Sequence, residues 1–170
     1  MKRHMNFKSM VASTFVAAAF ATAATASDTF EEYGKVEGWT VYKNVTESTC
    51  LMEKVDSVEN VVQMGYTKDT DFGYVGVFTK AETDIKKGDE KAVAIVLGND
   101  IYTGETTGMK GNITSGYSGG YVRTNNPHFI EDIQRQYKMI VFPEKEYVFT
   151  VDLTGTLKGI EMVRKCQSDM

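Results

Sequence analysis

Few residues in this sequence have the types and spacing that catalysis requires. His128 is the one histidine after residue 26, and it follows Asn126-Pro127, a pattern that typically opens a helix. Residues 114–120 are rich in Ser and Gly but lack the Gly-x-Ser-x-Gly spacing of a nucleophile elbow. A Ser-His-Asp set stays open, because its members need not be neighbours in sequence. The residue types themselves therefore assign no catalytic residue.

Carboxylates are common, but their spacing predicts no metal site. Asp69 and Asp71, followed by Gly73, resemble the opening of a calcium loop. The third ligand, the glycine at the sixth position and the glutamate at the twelfth are missing, so a solvated turn is the better interpretation. One histidine and two paired cysteines do not make a zinc site. We expect neither a metal nor a cofactor, while a hydrolase with two carboxylates in a groove stays open as an alternative.

The two cysteines are predicted to form a disulfide. Cys50 lies early in the chain after residue 26, and Cys166 lies four residues from its end. No Cys-x-x-Cys spacing indicates metal binding or redox cycling. An even count in an exported chain favours a bridge, with two buried free thiols as the alternative.

A tract rich in glycine and tyrosine, residues 102–124, is the candidate recognition surface. Tyrosine offers a large contact area with a polar tip, and glycine lets a backbone approach a partner. The candidate binding residues are therefore Tyr102, Tyr117 and Tyr121. Composition permits either a flexible loop or an irregular pair of strands here, and the alternative role is a half-buried sheet edge.

The first 26 residues have the pattern of an export signal. Lys2, Arg3 and Lys8 precede an apolar stretch over residues 10–21, and Ala24-Thr25-Ala26 offers a small-x-small cleavage motif. The stretch is shorter than the roughly 20 apolar residues of a spanning helix. We expect cleavage after Ala26, and a periplasmic or secreted product with no transmembrane segment.

Charge limits the classes of partner. The chain has a formal net charge of −4, and the three basic residues before residue 26 face no acid, so residues 27–170 carry about −7. Nucleic-acid binding depends on Lys and Arg contacts to phosphate, so nucleic acid is not the expected partner. Anionic lipid is disfavoured for the same reason.

Strand-forming runs with short polar turns predict a mainly β fold. The runs begin at Trp39, Cys50, Val61, Phe72, Ala92, Met139 and Tyr147. The polar, acidic residues 27–38 are expected to form a loosely held arm. Residues 27–170 should make a single β-rich domain, an antiparallel β-sandwich or small barrel with one or two short helices.

The two predicted helices lie after the Gly/Tyr tract and at the C-terminus. The first should open at Asn126-Pro127. The second should run over residues 156–167, where Leu157, Ile160, Val163 and Cys166 recur every three residues and are expected to share one apolar face. An inward-facing Cys166 could then bridge to the strand that begins at Cys50.

Both ends of the chain resemble one family of secreted proteins. Gly38-Trp39-Thr40-Val41, Cys50 at the start of a strand, and Val151-Asp152-Leu153-Thr154-Gly155 before a helix ending at Cys166 are similar to the invasion-associated locus B proteins of alphaproteobacteria. The chain departs from their pattern in having only two cysteines. The resemblance implies a β-sandwich of the cell envelope, linked to host association or surface integrity, and supplies no catalytic residues.

Together these features predict an exported, non-enzymatic protein that binds a protein or glycan partner of unknown identity. Two alternatives stay open. One is an extracellular or periplasmic hydrolase that uses carboxylates, and the other is a β-barrel that carries a small ligand in an apolar cavity.

Overall fold

The computed structural model describes residues 28–57, 59–67, 73–80, 90–110, 117–146 and 148–170. The predicted signal peptide, Asp69 and Asp71 lie outside the described residues. The strands are β1 Phe30–Val36, β2 Trp39–Asn44, β3 Thr49–Val55, β4 Val61–Tyr66, β5 Gly73–Thr79, β6 Glu90–Leu97, β7 Asp100–Lys110, β8 Ser118–Thr124, β9 Lys138–Val141 and β10 Phe149–Asp152. The helices are α1 Pro127–Arg135 and α2 Thr156–Ser168.

All ten strands pair antiparallel, in the order β1-β2-β3-β4-β5-β8-β7-β6-β9-β10. The ladder divides into a six-stranded sheet, β1 to β5 with β8, and a four-stranded sheet of β7, β6, β9 and β10. The long strand β7 joins them, since its first part pairs with β6 and its last residues pair with β8. β1 and β10 end the ladder, so the fold is sandwich-like and not a closed barrel. The predicted sandwich is confirmed, and the barrel alternative is wrong.

The predicted loose arm is instead strand β1. It pairs with β2 through a two-residue turn, in which Glu37 and Gly38 both have positive φ (46° and 85°). The register shifts between Glu32 and Gly34. Because such a bulge moves later side chains to the other face, the segment lacks the period of two that identifies a strand in sequence.

One core joins the two sheets and the two helices. Its buried residues include Met52 and Val75 from the six-stranded sheet, Ile95 and Val141 from the four-stranded sheet, and Val163 from α2. The face of the six-stranded sheet that carries Met52 is called the inner face below, and the opposite face the outer face. The outer face holds a second, smaller cluster of Val61, Phe78, Tyr117 and the partly buried Tyr121.

The C-terminal helix lies where the sequence predicts it, but its buried face differs from the predicted one. Thr156, Gly159, Val163 and Cys166 are buried, whereas Leu157 is 45% exposed. A period of three falls short of the helical 3.6, so nine residues turn Leu157 about 180° from Cys166. The expectation that Leu157 shares the buried face is therefore wrong.

Candidate functional site

A cavity of about 190 Å³ lies between the inner face of the six-stranded sheet and the two helices. Its floor includes Met52 of β3, Met64 of β4 and Val75 of β5. These residues are direct partners in neighbouring strands, Met52 opposite Met64 and Met64 opposite Val75, so their side chains form one row. The sheet thus presents a continuous apolar surface to the helices.

The helices supply the other walls. α1 contributes Ile130 and Ile133, and α2 contributes Ile160 and Val163. In each helix the two residues are three apart, so they lie on one side of the helix. The lining is predominantly apolar as a result.

A glycine in β5 helps to create the space. Gly73 lines the cavity, and a Cβ placed on it would lie 3.5 Å from Cδ1 of Ile130, an ordinary contact distance. A larger residue at this position would therefore extend into the cavity. Nearby, Thr124 and the exposed Asn125 add polar groups at the end of β8, next to solvent.

The disulfide holds α2 in place above the sheet. Cys50 and Cys166 are bonded and fully buried, which confirms the predicted bridge. Gln167 reinforces this end of the helix, because its Oε1 accepts from the backbone N of Cys50 at 3.0 Å and its Nε2 donates to the carbonyl of Ser48 at 3.2 Å. The wall that carries Ile160 and Val163 is thereby tied to β3.

α1 opens as its sequence predicts. The Asn126 side chain accepts a 3.0 Å hydrogen bond from the backbone N of His128, and Pro127 occupies the first turn. His128 is exposed, and Phe129 and Ile133 are the buried residues of the helix. The role of this histidine visible in the structure is its backbone contact to the cap.

The three candidate tyrosines occupy two places. Tyr117 is only 5% exposed and lies with Tyr121 in the outer-face cluster. Tyr102 lies beside α1, where its hydroxyl donates to Asp132 at 2.5 Å and its ring packs edge-on against Phe129. The Gly/Tyr tract therefore forms strands β7 and β8, the second of the two conformations that its composition permits, apart from residues 111–116, which lie outside the described part. A recognition role for the three tyrosines stays a prediction.

A chain of buried and partly buried polar groups crosses the outer face. Glu53, Gln63, Gly76 and Tyr121 are successive partners across β3, β4, β5 and β8. Gln63 donates to Glu53 and accepts from Tyr121, both at 2.5 Å. Tyr121 reaches across the strand at Gly76, where any Cβ would collide with its ring. Burial raises the pKa of Tyr121, so it stays a protonated donor.

Sequence reasoning did not identify the cavity. Its helical residues were visible as apolar positions, but nothing in the sequence indicated that a space is left between these helices and the sheet. The signal that could have been noticed is the glycine at the start of β5. Within the described ranges, no group of three or more His, Cys, Asp or Glu residues is arranged to hold a metal ion.

Across the part of the chain that the structure describes, no helix has the length and apolar character needed to cross a membrane. No family model matches this chain, and comparisons with curated proteins and with solved structures found no match either. The resemblance to the invasion-associated locus B proteins therefore stays a prediction from the residues at the two ends of the chain.

Proposed function

We propose that this chain is an exported, non-enzymatic binding protein whose ligand places a small apolar group in the cavity between the sheet and the two helices. The observation that carries the proposal is the cavity of about 190 Å³ with its apolar lining. It favours a small ligand, held in a sandwich and not in the barrel of the small-ligand alternative, over the partner that the tyrosines predict, because Tyr117 is buried within the protein.

The cavity volume limits the size of the ligand. An apolar cavity of about 150 Å³ holds benzene. At the packing density of protein interiors, about 0.75, a 190 Å³ space accommodates roughly 140 Å³ of ligand atoms. The group is then one aromatic ring with a short alkyl substituent, or an alkyl chain of comparable volume.

The lining selects for chemistry as well as size. Among the residues that the structure describes, no charged one lines the cavity. The part of the ligand that enters is therefore neutral, because an unpaired charge would lose its hydration there. Met52 and Met64 are flexible and polarizable, so they adapt to rings and chains alike. Thr124 and Asn125 can meet a polar end of the ligand near solvent.

Export is part of the proposal. The first 26 residues support it by their basic start, apolar stretch and cleavage motif. The disulfide supports it too, because such bonds persist in oxidising compartments. A periplasmic or secreted location follows, and fractionation of cells that express the whole chain would test it.

Binding is tested on the protein that lacks residues 1–26. This protein is titrated with toluene and, separately, with phenol, a polar analogue of similar size. We expect saturable NMR shifts of residues around the cavity, a raised Tm, and weaker binding of phenol. Shifts without saturation, or shifts confined to residues away from the cavity, would contradict the proposal.

Two glycine variants localise the binding. Gly73→Val places a branched side chain in part of the cavity and should lower toluene affinity at least tenfold while keeping the fold. Gly34→Ala is the control, since its added Cβ meets only Met162, at 3.4 Å from the sulfur, and lies away from the cavity. Unchanged toluene affinity in Gly73→Val, or an equal loss in both variants, would overturn the assignment of the site.

A further inference from the structure

The two helical walls of the cavity are anchored to the sheets in different ways. α2 is cross-linked near its end by Cys50–Cys166, and the residue before its N-cap, Thr154, accepts a 3.0 Å hydrogen bond from Nε1 of Trp39. It also packs along β1, β2 and β3. Both ends of α2 are therefore fixed.

α1 has no covalent anchor; it is held by packing, with Phe129 and Ile133 buried in the core and α2 as its main helical or strand neighbour. Only Asn125 and Asn126 separate it from β8, and both are exposed. Asn125 of this short exposed link lines the cavity next to Thr124. At its other end α1 is joined to β9 through Gln136 and Tyr137. A tilt of its first turns away from the sheet would open the cavity while this end stays in place.

One side chain of the four-stranded sheet, that of Tyr102, contacts the middle of α1. Tyr102 of β7 donates to Oδ2 of Asp132 at 2.5 Å, and its ring centroid lies 4.8 Å from that of Phe129. Phe129 and Asp132 are one turn apart, so Tyr102 contacts a single side of the helix. Ile130 and Ile133 of the same helix line the cavity.

We propose that α1 is the movable wall of the cavity and that the Tyr102–Asp132 hydrogen bond is the latch that limits ligand exchange. This inference rests on the proposed function. Tyr102 acts as a positioning residue, since it contacts the helix and does not line the cavity. The hydrogen bond to Asp132 raises the pKa of Tyr102 to about 12, so the latch keeps its proton at neutral pH.

The chain contains a matched control. Tyr33 makes the same kind of bond to Asp169, at 2.6 Å, just after α2. If any tyrosine–aspartate hydrogen bond to a helix controlled ligand exchange, loss of the Tyr33 bond and loss of the Tyr102 bond would have the same effect. Because α2 is also held by the disulfide, the latch hypothesis predicts an effect at Tyr102 alone.

The test measures dissociation of fluorobenzene by ¹⁹F exchange spectroscopy. Tyr102→Phe keeps the ring and removes the hydroxyl, and it should speed dissociation about tenfold, the effect of roughly 1.4 kcal/mol on a rate. Tyr33→Phe should change it less than twofold. Equal acceleration in both variants, or none in Tyr102→Phe, would overturn the latch.

Amide hydrogen exchange of the ligand-free protein gives a readout that does not depend on binding. Tyr102→Phe should speed exchange in residues 127–135 and leave residues 156–168 unchanged. Asp132→Ala removes the same hydrogen bond and serves as the second variant if Tyr102→Phe fails to fold. If fluorobenzene does not bind the wild-type protein, the proposed function fails, whereas unchanged exchange in α1 rejects the latch itself.

Discussion

Nε1 of Trp39 and Nζ of Lys54 both donate to the carbonyl oxygen of Thr154, at 3.0 and 2.9 Å. Lys54 also lies over the Trp39 ring and pairs with Asp152 at 2.9 Å. β2 and β3 thus hold the turn between β10 and α2, about a hundred residues further along the chain. Gly155, with φ of 83°, completes this turn.

Removing the disulfide should lower stability substantially. Cys50 and Cys166 are 116 residues apart, and the chain-entropy model assigns about 4.7 kcal/mol to closing a loop of roughly this length. We expect Cys50→Ala/Cys166→Ala to lose about 3–5 kcal/mol in urea denaturation. Mass spectrometry of the non-reduced protein should find the two peptides linked, and two free thiols would contradict the bond.

Acid should weaken the contact at Asp152. Hydrogen bonds from Thr154, together with Lys54, lower the pKa of Asp152 to about 2 from 3.8. Because the folded pKa is the lower one, this contribution is complete above about pH 4 and is lost as the pH falls towards 2. The side chain is 47% exposed, so screening keeps the contribution to about 1 kcal/mol or less.

Denaturation midpoints between pH 2 and 5 would measure this contribution. Asp152→Asn should show a shallower loss of stability with acid than the wild-type protein. Glu161→Gln is a charge-matched control, since it removes only the exposed pair with Lys158. Identical acid profiles for Asp152→Asn and the wild-type protein would argue against the pairing.

Replacing Gln63 should lower the stability of the protein more than the loss of either one of its two hydrogen bonds would. It is 1% exposed and connects Glu53 with Tyr121. Gln63→Leu removes the amide from between two buried polar groups, so we expect a loss of about 2–3 kcal/mol. Tyr121→Phe removes one hydroxyl and should cost about 1 kcal/mol. An equal cost for both, measured by urea denaturation, would show that the row does not act as a network.

Gly119 should tolerate no side chain. A Cβ there would overlap the carbonyl oxygen of Val77 and lie 2.7 Å from Cα of Phe78, both backbone atoms of the neighbouring strand. Gly119→Ala should therefore lose more than about 3 kcal/mol or fail to fold. Gly34→Ala, whose Cβ meets a flexible methionine at 3.4 Å, should stay within about 0.5 kcal/mol of wild type by thermal denaturation. Comparable losses in both would contradict the close strand contact.

Much of the fold could be predicted because its signals are local. Strand-forming runs located β2, β3 and β4, and Asn126-Pro127 marked the start of α1. The bulge in β1 and the rotation of Leu157 away from Cys166 were missed. In β1 the bulge removed the period of two that identifies a strand, and in α2 a repeat of three was assigned to one helical face, because backbone geometry changes the direction of side chains residue by residue.

The sequence by itself predicted the antiparallel β architecture, the terminal helix and the disulfide, since strand-forming runs, apolar positions at helical spacing and an even cysteine count can be read from short stretches or from composition. Only the tertiary structure decided that Tyr117 and Tyr121 are packed on the outer face, apart from Tyr102. It alone also decided that a cavity lies between sheet and helices. Such a space depends on how far separate elements stand from one another, a distance that no local pattern encodes.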